Sequence, residues 1–261
     1  HWGTTRLTEP YGEKRITFYR LTDPDYRGEQ YYSVAEMRTI FATAQRLGWQ
    51  MSCHVTGDEG TLRVLEALGQ VAAEQPEVRK RRFTLIHSYF PSPEIVRQCR
   101  DLGVCVDTQG YLYYRDADTL AQVYGPEWSS RFIGLGDWVR GGIPVALNSD
   151  HMIGLDPNHA MNSFNPLLML SIAVTRQTRD GHVHGPHQAL SRLDALRTVT
   201  QWPAYLSFDE QKLGTLEVGK LADLVVLDRD YLKCADAELA GLTVERTIVG
   251  GRTVFRKSPD R

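Results

Sequence analysis

Residues 143–150 read IPVALNSD. The apolar run from Ile143 to Leu147 has the character of a strand buried on both faces, as in a parallel sheet. It stops at Ser149 and Asp150 and passes into His151 and a long loop. α/β barrels carry their chemistry at the C-terminal ends of their strands, so a carboxylate here is a candidate functional group. Two upstream strand-like runs close in the same manner, WQMSCH on His54 and RFTLIH on His87. Taken singly, each has an ordinary explanation: a strand-end Asp caps a turn, and a lone His is a satisfied core residue. Two imidazoles and a carboxylate, each closing its own strand, together make a pattern suited to a metal ion.

Working outward from this stretch, a strand–helix alternation fills the middle of the chain. Ser33 and Glu36 form a capping box ahead of a helix from Val34 to Leu47, which Gly48 ends. The strand Trp49–His54, the turn Thr56-Gly57-Asp58 and a helix from Glu59 to Ala73 follow. The cycle repeats with a strand Arg82–His87, a helix Ser92–Leu102 and a strand Val104–Thr108 leading to Gln109. An aromatic stretch (Tyr111, Tyr113, Tyr114) and a variable loop through Trp128 precede a short helix, Leu135–Arg140. This order predicts βαβ units and a parallel sheet. Beyond Asp150 come a loop rich in Asn, Pro and Gly, a helix Leu167–Thr175, a polar loop TRDGHVHGPH (178–187) and a helix Leu193–Leu206 that Pro203 kinks or ends. From Gly214 the character changes. A strand Ala222–Leu227 and a hairpin, Glu245–Phe255 around Gly250-Gly251, predict a small β module. The expected division is 1–212 for the α/β part and 213–261 for the β module. Residues 1–32 read as a long loop with one short strand, Ile16–Tyr19.

Composition limits the partners. The 261 residues contain 30 Lys and Arg against 32 Asp and Glu, a net charge of -2, which gives no electrostatic footprint for nucleic acid or an anionic membrane. The basic run RKRR (79–82) is short and reads as a solvated helix end. No apolar run approaches the ~20 residues that cross a bilayer, and no leader is read in the opening residues. Cys53, Cys99, Cys105 and Cys234 lack C-x-x-C spacing, and Cys53 and Cys105 read as small core residues. A reducing, cytoplasmic setting is therefore expected.

His54 and His87 lie 33 residues apart, one βα unit, which places them on one rim of neighbouring strands. Asp150 is expected to contact the metal or its water and to act as general base and acid, taking a proton from that water and delivering it to a leaving nitrogen. Gln109 and His151 are expected at the substrate. Asp58 reads as a helix cap, His159 as a loop residue, and the three tyrosines as cleft lining or barrel cover. His182, His184 and His187 have H-x-H-x-x-H spacing but close no strand, so they read as a compositional feature.

The segments HVTGD (54–58), LIHS (85–88), TQG (108–110), NSD (148–150), IAVTR (172–176) and LGTLEVGKLADLVVLDRD (213–230) resemble the amidohydrolase superfamily, nearest the branch of N-substituted formamide deformylase. The resemblance runs from about residue 1 to 256. It implies a distorted TIM-like (β/α)8 barrel of metal-dependent hydrolases, with the GTLEVGKLAD segment in a flanking β-sandwich. It implies metal-dependent hydrolysis of an amide-type C–N bond in a small molecule, with Zn2+ or another divalent metal, one or two ions. His54 and His87 then correspond to ligands on the fifth and sixth strands, and Asp150 to the eighth-strand aspartate. The family's first-strand H-x-H and fourth-strand Lys have no counterpart here: no H-x-H precedes His54, and Lys14 is the only Lys ahead of it. The opening residues resemble the segment after the fourth strand. The chain thus reads as strands five to eight plus part of the sandwich, completed by an N-terminal half, a second chain or a homo-oligomer. The alternative reading is a non-catalytic binding or assembly module on a degenerate amidohydrolase fold.

Overall fold

The structure is a computed structural model that describes residues 4–258. Two sheets organise it. The first has four parallel strands in sequence order: β1 (Ser52–Val55), β2 (Thr84–His87), β3 (Cys105–Thr108) and β4 (Val145–Leu147). Register runs straight across, His54 beside Ile86, Ile86 beside Asp107 and Asp107 beside Ala146. Parallel neighbours need crossovers. These are α3 (Asp58–Glu74) between β1 and β2, α4 (Pro93–Leu102) between β2 and β3, and three helices between β3 and β4: α5 (Gly110–Tyr124), α6 (Pro126–Arg131) and α7 (Leu135–Arg140). Alternation splits the sheet into two faces. Val55, Leu85, Val106 and Val145 are buried in a core that includes Ala67 and Leu68 of α3 and Ile95 of α4. Ser52, Thr84, Ile86, Asp107 and Ala146 instead line an open cavity of about 440 Å³.

Two helices precede the sheet, α1 (Gly12–Tyr19) and α2 (Val34–Arg46), the latter entered by the expected Ser33–Glu36 capping box. The expected strand Ile16–Tyr19 is therefore corrected to helix. The β-branched and aromatic residues of ITFY favour a strand locally, but packing overrides that preference: Tyr19 sits edge-on to Tyr11 and Tyr124. Residues 4–11 are not loose loop either, since Leu7 and Tyr11 are fully buried. The expectations for residues 1–3 and 259–261 lie outside the described residues. The variable loop expected through Trp128 is helical. The first strand runs one residue past His54.

After a loop, α8 (Pro166–Thr175) is buried nearly all round, and α9 (Arg192–Val199) and α10 (Gln201–Leu206) close this part. The single helix expected over 193–206 is broken at Thr200 (φ -130°, ψ -80°). The break puts Pro203 in the first turn of α10, where its missing N–H costs nothing. The second sheet is antiparallel, β5 (Leu224–Leu227), β6 (Val244–Val249) and β7 (Arg252–Arg256). Gly250 and Gly251, with φ of +55° and +77°, make the expected two-residue turn between the last two strands. Val225 and Val226 point to opposite faces and both are exposed, so this small sheet shows apolar surface on each side.

The basic run is spent within the fold. Arg79 donates to Ala72 O and Asp101 O, Arg81 to Gln45, and Arg82 to Glu210. All four cysteines are free thiols; Cys105 is buried as expected, whereas Cys53 is only half-buried.

Candidate metal centre

The C-terminal ends of the four parallel strands bring the candidate residues to one rim. His54 is exposed and His87 is buried, yet their rings meet edge to face with centroids 4.5 Å apart. The backbone explains how they meet. Side chains at successive positions of a strand alternate between faces, so His87 would follow Leu85 into the helix-packed core. A left-handed turn at His87 (φ 75°) and Ser88 (φ 41°) ends the strand abruptly and redirects the chain. Non-glycine residues in this region carry a strain cost that clusters at functional sites. Asp150 also adopts it, at φ 46°.

Burial depresses the basicity of His87, opposed by its hydrogen bond to Gln109 and reinforced by neighbouring His54; the charge of Asp150 acts in the opposite sense. The net effect favours the neutral imidazole, the form that ligates metals. Gln109, expected at the substrate, is 1 % exposed, and its Oε1 lies 2.5 Å from His87 Nδ1. Asp150 is exposed. Its N–H donates to Asn148 Oδ1 at 2.8 Å, and Asn162 donates to its carbonyl oxygen. The Asp150 charge reaches His87, Tyr89 and Asp107. His151 is held through Nδ1 by Asn162 O at 3.0 Å, with its ring against Phe164. Sequence reasoning missed Asp107 and Asn162, whose signal is positional: both neighbour Asp150 only after folding.

The other candidates fall elsewhere. Asp58 is the first residue of α3 rather than the residue preceding it. Its buried carboxylate accepts from Glu59 N and also from Thr8 N and Thr8 Oγ1, tying the 4–11 segment to the rim. His159 pairs with Asp156 on the loop surface. His182 and His184 share one oxygen of Asp118, at 3.2 and 2.6 Å. Tyr113 is buried and donates to Arg176 O, and Tyr111 donates to Asn165 O.

Two nitrogen donors and one carboxylate at one rim suit a divalent ion in chemistry. Among the described residues, no three His, Cys, Asp or Glu side chains converge as a complete metal-binding group.

Four parallel strands joined by helical crossovers, with imidazoles at the ends of adjacent strands, form an α/β architecture of the kind from which barrels are built. The chain belongs to the amidohydrolase family, whose pattern matches residues 4–255. It is 28% identical over 225 residues to N-substituted formamide deformylase of Arthrobacter pascens, covering 86% of this chain and 40% of that protein. It is 26% identical over 247 residues to LONG AFTER FAR-RED 3 of Arabidopsis thaliana, covering 94% and 41%. The fold matches that of an uncharacterized metal-dependent hydrolase from Pyrococcus horikoshii with a TM-score of 0.71 at 21% identity, over 91% of this chain and 44% of that one. The chain thus spans less than half the length of these relatives.

Proposed function

We propose that the protein hydrolyses an amide-type C–N bond in a small molecule, and that this chain supplies part of a metal-dependent active site. The carrying observation is the 4.5 Å approach of the His54 and His87 rings on adjacent strand ends. His54 and His87 would hold the ion, with Asp150 beside it. A bound divalent ion supplies the Lewis acidity that makes a water nucleophilic near neutral pH. Asp150, exposed at the rim, accepts the proton of the attacking water and returns it to the leaving nitrogen. His151 contributes to the substrate side of the rim. The four strands are strands five to eight of an eight-stranded barrel, residues 213–261 belong to a flanking β-sandwich, and the remaining ligands come from the rest of the barrel. Family membership supports this reading, as does the chain's share of its relatives' length.

The test is a substrate panel of N-substituted formamides, N-acyl amino acids and cyclic imides, assayed with the full-length protein and added zinc. Asp150→Asn is expected to lower kcat by about 10²–10⁴-fold, the scale of a general base, with an unchanged circular dichroism spectrum. Turnover that survives this substitution removes Asp150 from the chemistry. No turnover of any member by folded, zinc-loaded protein overturns the amide-hydrolase reading.

A further inference from the structure

Strand β3 contributes no candidate ligand, yet it lies between β2, which ends on His87, and β4, which leads to Asp150. Gln109 continues its extended backbone (φ -128°, ψ 101°), so Asp107 and Gln109, two residues apart, share a face. Each reaches a different neighbour. Gln109 Oε1 meets His87 Nδ1 at 2.5 Å on the β2 side. On the β4 side, Asn148 Nδ2 donates to Asp107 Oδ1, and Asn148 Oδ1 accepts from Asp150 N at 2.8 Å. We propose that β3 is a positioning strand: Gln109 sets the tautomer of His87, and Asp107, acting through Asn148, sets the left-handed backbone of Asp150. This rests on the reading of His87 and Asp150 as site residues.

The chemistry is specific at each end. A carboxamide oxygen only accepts, so the proton of neutral His87 resides on Nδ1 and the lone pair on Nε2. An imidazole oriented by an outer hydrogen bond presents a defined nitrogen to a metal. At the other end, Asn148 is a two-ended relay. Its amide group is oriented by the Asp107 carboxylate, which only accepts, and this turns the Asn148 oxygen toward the Asp150 N–H. That bond supports a backbone conformation that a non-glycine residue adopts only when its surroundings enforce it. Gln109 is fully buried, and Asp107 is half-buried in the wall of the open cavity.

Two measurements on the metal-free chain read this without any turnover. The first is the ring-nitrogen spectrum of ¹⁵N-histidine-labelled protein, with His87 assigned from its loss in His87→Gln. The wild-type His87 is expected as the Nδ1–H tautomer, and Gln109→Leu is expected to give a mixture of tautomers. Gln109→Glu, which retains an acceptor oxygen, is expected to restore the Nδ1–H form. The second is exchange of the Asp150 amide hydrogen. It is expected to accelerate several-fold in Asp107→Ala, as for loss of one ordered hydrogen bond, and less in Asp107→Asn. Amides of α3 serve as the control for general loosening. An Nε2–H tautomer in wild type, or a spectrum indifferent to Gln109→Leu in folded protein, overturns the Gln109 half. Asp150 exchange indifferent to Asp107→Ala overturns the other. A positioned His87 and Asp150 in a protein that hydrolyses nothing on the panel leaves this inference standing and removes the proposed reaction instead.

Discussion

Arg176 closes the segment IAVTR, one of those that resemble the amidohydrolase superfamily, and the fold explains it without any substrate. It is 1 % exposed, its guanidinium lies 3.5 Å over the ring of Tyr113, and it donates to the carbonyls of Phe132, Ile133 and His184. Burial pulls its basicity down to about 10, so it stays charged at neutral pH. Arg176→Met is expected to cost on the order of 3 kcal/mol, because it removes charge-assisted hydrogen bonds to buried carbonyls and the stacking on Tyr113; urea unfolding measures it. Gly57 makes the complementary case. Its φ is ordinary, but a Cβ there would stand 1.7 Å from Arg6 O. Gly57→Ala is therefore expected to push away the 4–11 segment and to cost about 1–3 kcal/mol, as overpacking does. Proteolysis within residues 4–11 should accelerate in parallel. That the imidazoles at 54 and 87 would share one rim was legible in the sequence, because each stands at or next to the end of a strand-like run one βα unit apart. The engagement of Gln109 was not, since nothing in TQG tells whether a buried carboxamide faces a ligand or a neighbouring ring.

Among elements, the strand–helix cycle from Ser33 to Leu147 was readable because caps, glycines and apolar periods agree there. The segment 111–128 was not, since its tyrosines give no clean period; α5 is defined instead by burial of Tyr111, Tyr113, Leu120 and Tyr124. Nor could the sequence reveal what holds α10 under the sheet. Arg82, two residues ahead of β2, makes a two-armed bond to Glu210 at 2.6 and 2.9 Å and stacks on Tyr205 and Phe208. The hydrogen bonds from Arg82 hold the Glu210 carboxyl down to about 2. Its folded value lies below its ordinary one, so the pair's contribution is complete above about pH 4.5 and is lost as pH falls toward 2. Both side chains are partly solvated, at 14% and 28% exposure, which keeps the contribution to about 1 kcal/mol. Wild type and Glu210→Gln should therefore differ modestly in Tm at pH 7 and converge on acidification. A constant difference between pH 7 and 3 would assign the effect to packing alone.

For the molecule as a whole, among the described residues β1 and β4 each pair on one side only. Edge strands that present unpaired backbone recruit other chains, and the cavity-lining face and the exposed valines of β5 add apolar surface. The 261-residue chain alone is expected to self-associate as its concentration rises, measured by sedimentation velocity; a strict monomer throughout would contradict this. With two imidazoles and one carboxylate, it is also expected to bind zinc weakly or partially, and tight stoichiometric zinc in metal analysis would refute that. The open edge of β1 has a built-in optical consequence. Trp49, three residues ahead of that strand, is 61% exposed, whereas Trp138 is fully enclosed. Any chain that docks along this edge should strip water from the Trp49 indole and move its emission toward the blue, while the Trp138 signal holds constant. Completion of the sheet can then be followed by intrinsic fluorescence, with Trp49→Phe as the silent reference.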